Sequence, residues 1–338
     1  MCFQLSLSLV IPSGLPQSRR RLFCLNTKES CFKLSRRKVI SMKTFLLVLA
    51  ALFLLNMSAS AQDKNFYIFL CFGQSNMEGY PGIEDQDKGP VDARFQDFAA
   101  VEFPDLGRQM GHWSTAVPPL ARPGNGLSPA DYFGRTMVAN LPPNIKVGVI
   151  SVAVAGCKIE LFQKDKYGAY IQTAAPWMQG IVASYGGNPY QRLVDMARLA
   201  QKDGVIKGIL LHQGESNTND QEWPSKVKSI YDNLITDLNL NPKDVPLLAG
   251  ELVGADQNGA CASMNTIIDN LPQTIPNCYV ISSAGCPCRP DHLHFTPAGY
   301  RTLGTRYGDK MLALLGYSAA DPDTSTGAGP PAVIGAKP

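Results

Sequence analysis

A serine hydroxyl becomes a nucleophile when a neighbouring base takes its proton and a third group orients that base. The residue types for such a relay stand far apart in this 338-residue chain, in Gly73-Gln74-Ser75-Asn76-Met77 and in Asp291-His292-Leu293-His294. Ser75 is the candidate nucleophile, His294 the base and Asp291 the orienting acid. With Asp291 three residues before His294 on one loop, the carboxylate reaches one imidazole nitrogen while the other faces Ser75. Alternation along the loop puts His292 and His294 on opposite sides, so one of them faces Ser75, and the spacing from Asp291 favours His294.

The oxyanion formed at an attacked carbonyl needs hydrogen-bond donors, each contributing about 10²- to 10³-fold in rate. The backbone amides of Ser75 and Gly156 and the side-chain amide of Gln213 are the candidates. Asn76, Glu215 and His212 stand beside these positions as candidate substrate contacts, His212 as a pocket wall. Glu215 reads equally well as a capping or ion-pair acceptor, and His212 as a satisfied core histidine.

These residues share a location only if the chain forms an open parallel sheet, in which ligands bind at the carboxyl ends of the strands. Short apolar runs at 66–72, 146–154, 205–211, 245–249 and 278–281 predict an α/β fold with five mostly parallel strands. Amphipathic stretches at 129–140, 189–201, 223–239 and 297–315 predict helices over its faces. Ser128-Pro129 and Thr296-Pro297 have the order of a helix start. The chemistry-bearing blocks follow four of the apolar runs, which would gather them on one sheet edge. Residues 79–126 lack clear periodicity and read as a long loop lining the pocket. Of Trp113, Trp177 and Trp223, Trp113 in that loop is the preferred sugar-stacking candidate, although most tryptophans fill core space.

Three strings now stand in order: Gly-Gln-Ser-Asn-Met-x-Gly from Gly73, Gln-Gly-Glu-Ser-Asn from Gln213, and Asp-x-x-His-Phe-x-x-Ala-Gly from Asp291. Together they resemble the sialate O-acetylesterase and acetylxylan esterase branch of the SGNH hydrolases, over about residues 66–315. The resemblance implies a three-layer flavodoxin-like fold, acyl hydrolysis without metal or cofactor, and acetylated oligo- or polysaccharides as substrates. It places the nucleophile on Ser75, the oxyanion donors on Gly156 and Gln213, the acid–base pair on Asp291 and His294, and a further carboxylate on Glu215. The chain departs from the family pattern at Ala155-Gly156-Cys157, at Phe162 and at His212.

The first 61 residues carry nine Lys or Arg and one acid, so setting them aside turns the net charge from +3 to −5. A mildly acidic protein has no electrostatic footprint for nucleic acid. Met42-Lys43, an apolar run at 45–55 and Ala59-Ser60-Ala61 have the layout of a secretory signal peptide. That run falls short of the roughly 20 residues of a membrane span. The expected organisation is therefore an upstream segment at 1–41, unstructured or not native to the chain, a signal peptide at 42–61, a catalytic domain at 62–318 and a disordered tail at 319–338. The expected location is outside the cytoplasm, secreted or periplasmic.

Six cysteines remain after residue 61. Cys71 and Cys157 lie in apolar runs and read as buried thiols, while the pairing of Cys261, Cys278, Cys286 and Cys288 stays open. Cys286-Pro287-Cys288 with His292 and His294 makes metal-dependent hydrolysis a rival, but zinc ligand pairs are usually spaced more widely. A glycan-binding relative without turnover and a lipase are the other rivals, and a lipase needs an apolar acyl channel that the polar 79–126 segment does not supply.

Overall fold

The computed structural model describes residues 62–80 and 82–317. The readings of 1–41, of 42–61 and of the 319–338 tail fall outside these residues.

The strands are β1 (Asp63–Gly73), β2 (Phe95–Phe98), β3 (Trp113–Thr115), β4 (Lys146–Ala153), β5 (Gly204–His212), β6 (Leu247–Gly250) and β7 (Cys278–Ile281). They form one seven-stranded sheet in the order β3-β2-β4-β1-β5-β6-β7. Every neighbouring pair is parallel except β2 with β3. The five expected strands are contiguous within its parallel portion, which β2 extends at one edge. The expected count of five is corrected to seven, because β2 and β3 fall inside the segment read as loop. With four and three residues they are too short to carry a period.

β1 explains why the apolar runs are continuous rather than alternating. Ile68, Leu70 and Phe72 enter the core on one face of the sheet, and Phe69 and Cys71 enter the core on the other. A strand covered on both faces has no polar side. On the first face lie α6 (Pro189–Ala200) and α7 (Trp223–Asp237); on the second lie α3 (Pro129–Asn140) and α10 (Pro297–Leu314). The result is the expected three-layer α/β architecture.

The helix starts follow from their sequences. Asn188 accepts a hydrogen bond from the Gln191 amide at 3.1 Å and Thr296 one from the Gly299 amide at 3.2 Å, each followed by Pro at the first helical position. Shorter helices precede and separate these: α1 (Ser75–Glu78) and α2 (Asp85–Lys88) after β1, α4 (Tyr167–Thr173) and α5 (Pro176–Ser184) after β4, and α8 (Asn265–Asp269) and α9 (Leu271–Thr274) after β6. Residues 158–184, which carry no clear sequence pattern, hold α4 and α5, with Trp177 and Met178 of α5 against the Gly156 turn that follows β4.

Among the described residues all six cysteines are free thiols, with Cys71 and Cys157 buried as expected. Burial pushes the Cys71 and Cys157 thiols far up, which leaves them protonated and inert. No helix among the described residues is long and apolar enough to cross a membrane.

Candidate active site

β1 delivers Ser75. The strand ends at Gly73, with φ +155°, where a Cβ would lie 2.0 Å from the His212 carbonyl oxygen of adjacent β5. Only glycine lets the two strands run together to this point. The chain then turns, the Gln74 amide donating to His212 O at 3.1 Å, and Ser75 opens α1. Its side chain is almost entirely buried.

The loop after β7 delivers the base. His294 Nε2 lies 2.9 Å from Ser75 Oγ, and His294 Nδ1 lies 2.9 Å from Asp291 Oδ2. Asp291 Oδ1 also accepts from the Leu293 amide at 2.9 Å and the His294 amide at 3.0 Å, closing a tight turn that fixes the carboxylate. Partial burial pushes the Asp291 carboxyl up, but the bonds from the imidazole and the two amides outweigh it and hold the value at about 2. The carboxylate is therefore charged at neutral pH. His292 turns away, its Nδ1 3.2 Å from Gln257 O and 3.9 Å from Cys288 Sγ. Cys286 points elsewhere, toward Arg306 Nη1 at 3.5 Å.

Gly156 sits in the turn after β4, with φ +67°. The turn is pinned to β1 through the Val154 amide on Gly73 O at 3.1 Å, and Ser216 Oγ donates to Gly156 O at 2.9 Å. The Ser75 and Gly156 amides donate to no acceptor among the described residues.

Gln213 corrects one expectation. Its Nε2 donates to Asn217 Oδ1 at 2.7 Å, Gln74 Oε1 at 3.1 Å and Cys157 O at 3.2 Å, while its Oε1 accepts from Trp223 Nε1 at 2.6 Å. Both amide hydrogens are committed, so Gln213 ties the Ser75 turn to the Gly156 turn instead of offering a donor to an oxyanion.

Asn76 is also placed differently, as a fully buried connector. Its Nδ2 donates to Glu215 Oε1 at 2.6 Å and to Leu293 O at 3.0 Å. Its Oδ1 accepts from Tyr300 Oη at 2.7 Å and from the Phe295 amide at 3.3 Å. A residue with every polar atom used this way does not contact substrate. Glu215 is buried, its Oε1 taken by Asn76, its Oε2 without a hydrogen-bond partner. Burial pushes its carboxyl up, opposed by its own amide and by Asn76.

His212 is no pocket wall. It has no exposed surface, its Nε2 lies 3.0 Å from Glu251 O, and burial holds its pKa down at about 4, so it is neutral. Trp113 is likewise corrected: it packs between Phe66 and Phe98, with Nε1 2.9 Å from Asp203 just before β5 begins. That is the opposite end of the parallel strands from Ser75.

Three contributors were not identified from sequence. Tyr300 on α10 donates to Asn76, as above. Glu78, at the end of α1, is buried and paired with Arg122. Tyr80 lies against His294 with ring centroids 4.3 Å apart and the planes tilted by 41°. Each stands in or directly after one of the strings: Glu78 is the open position of Gly-Gln-Ser-Asn-Met-x-Gly, Tyr80 follows that string, and Tyr300 follows Asp-x-x-His-Phe-x-x-Ala-Gly.

Several solved structures share this fold. A protein from Arabidopsis thaliana superposes with a TM-score of 0.56 at 21% identity, covering 73% of this chain and 98% of that one. NanS gives a TM-score of 0.54 at 18% identity, covering 75% and 98%. A carbohydrate acetylesterase from Xanthomonas citri gives 0.50 at 17% identity, covering 72% of this chain and 55% of its own. Identities this low speak to the fold only. The family model described as carbohydrate esterase, sialic acid-specific acetylesterase, matches residues 65–313, well over half of the chain. With the fold and this match in agreement, the chain belongs to that carbohydrate esterase family and is a carboxylic ester hydrolase.

Proposed function

We propose that the protein removes O-acetyl groups from acetylated oligo- or polysaccharides, of the acetylxylan or sialate type, through an acetyl-enzyme on Ser75. The observation that carries this reading is the unbroken relay from Ser75 Oγ to His294 Nε2 at 2.9 Å and from His294 Nδ1 to Asp291 Oδ2 at 2.9 Å.

In this mechanism His294 takes the Ser75 proton as Oγ bonds to the acetyl carbon. The carbonyl oxygen gains the negative charge and is met by the uncommitted Ser75 and Gly156 amides. His294 then passes its proton to the sugar oxygen as the carbon–oxygen bond breaks, leaving acetate esterified to Ser75. A water, deprotonated by His294, attacks the same carbon, and the proton returns to Ser75 Oγ as acetate leaves. Asp291 stays ionised throughout and stabilises the imidazolium.

Residues 62–318 form the catalytic domain in this reading, and a signal peptide at 42–61 directs export to the periplasm or exterior. A mature N-terminus at Gln62, read by mass spectrometry of the exported protein, tests the latter. The mechanism is tested by acetate release from p-nitrophenyl acetate and from acetylated glycans. Ser75→Ala is expected to lose about 10⁴-fold or more in kcat; release equal to that of the wild type rejects the serine mechanism.

A further inference from the structure

Large aromatic side chains are normally withdrawn from water, because their area gains so much from burial. Among the described residues two of them keep about half of their surface exposed, Trp177 at 56% and Tyr80 at 46%. Both stand at the candidate site.

Trp177, near the start of α5, lies against the main chain of Gly156 so closely that a Cβ there would meet its Cη2 at 2.9 Å. Tyr80 lies against the imidazole of His294. One ring therefore flanks the side of Ser75 from which an oxyanion would be held, and the other flanks the base.

The segment that carries Trp177 is anchored. Next to Trp177, Met178 is buried beneath the Gly156 turn, and Tyr170 Oη reaches Met178 Sδ at 3.7 Å while accepting from the Lys158 amide at 3.0 Å. The Arg289 guanidinium lies 5.7 Å from the Tyr80 ring centroid. Exposed aromatic faces beside reacting groups suit a partner that is flat, apolar on its faces and polar at its rim. A pyranose ring has that form, with C–H bonds on its faces and hydroxyls around its edge.

We infer that Trp177 is a stacking platform for the pyranose ring that carries the acetyl group, with Tyr80 as the facing wall on the His294 side. The inference rests on the carbohydrate-ester reading above and adds the residue that holds the sugar. It replaces Trp113 in that role, and Trp223 is excluded by complete burial.

The test compares kcat/KM for acetylated xylo-oligosaccharides and O-acetylated sialic acid with kcat/KM for p-nitrophenyl acetate, which has no sugar. Trp177→Ala should lower the glycan-to-nitrophenyl ratio about 10-fold on the preferred glycan, mainly through KM, and Trp177→Phe should recover most of it. In a Ser75→Ala background, where no turnover interferes, Trp177→Ala should weaken binding of the same glycan about as much. A ratio and an affinity both unmoved by Trp177→Ala overturn the platform while leaving the serine mechanism standing. Turnover surviving Ser75→Ala sinks the mechanism and leaves the binding comparison intact.

Discussion

Asn76 donates to the carbonyl of Leu293, 3.0 Å away and 217 positions later in the chain. The residue after the nucleophile thus holds the residue before the base, and Asn76 is itself held by Tyr300 and Glu215. The distance between Ser75 and His294 is set by a buried amide that touches neither.

Asn76→Ala should therefore damage stability and rate together. It strips partners from Tyr300, Glu215, Leu293 and Phe295, and each buried polar group left bare costs about 1–3 kcal/mol. The expected loss is about 3 kcal/mol in stability, with kcat down about 10- to 100-fold as the loop loosens. Denaturant midpoints and initial rates check both; a normal kcat in a destabilised protein would show that the connection does not position the base.

Asp291→Asn keeps the shape of the turn but removes the charge that orients His294 and stabilises its protonated form. The expected fall in kcat is about 10⁴-fold, with KM little changed. A fall of less than about tenfold would remove Asp291 from the relay.

His212 makes the folded protein acid-sensitive. Its folded value of about 4 lies below the ordinary 6.5 because burial penalises the charged ring. The unfolded chain therefore binds the proton first, so this contribution to stability is complete above about pH 6.5 and is lost as pH falls toward 4. The span corresponds to roughly 3 kcal/mol at most. Thermal melts of wild type and His212→Gln at pH 7 and pH 4.5 should show a smaller acid-induced drop in the variant, and parallel drops would contradict the assignment.

Gly156→Ala meets two obstacles, the positive φ and the Trp177 ring. We expect kcat/KM to fall about 10-fold or more. Because the clash is with the end of a side chain, Trp177→Ala should relieve part of the Gly156→Ala defect on p-nitrophenyl acetate. Strict additivity in the double mutant would mean that the indole does not press on the turn.

Five of the six parallel strands, the four long helices and the pairing of Ser75 with Asp291 and His294 are legible in the chain alone. Each is local information: continuous apolar runs mark strands covered on both faces, Pro after a capping residue marks a helix start, and the Asp-x-x-His spacing closes a turn whose amides bind the carboxylate. Tertiary structure decided the rest. Gln213 and Asn76 look like site amides in a string, yet their hydrogens are already spent, Asn76's on Glu215 and Leu293 and Gln213's on Asn217, Gln74 and Cys157. Trp113 and Trp177 are the same residue type, but one fills a gap between Phe66 and Phe98 while the other stands in solvent beside Gly156. Which polar groups are already satisfied, and which aromatic faces remain open, depends on every neighbour in three dimensions, so no local pattern encodes it.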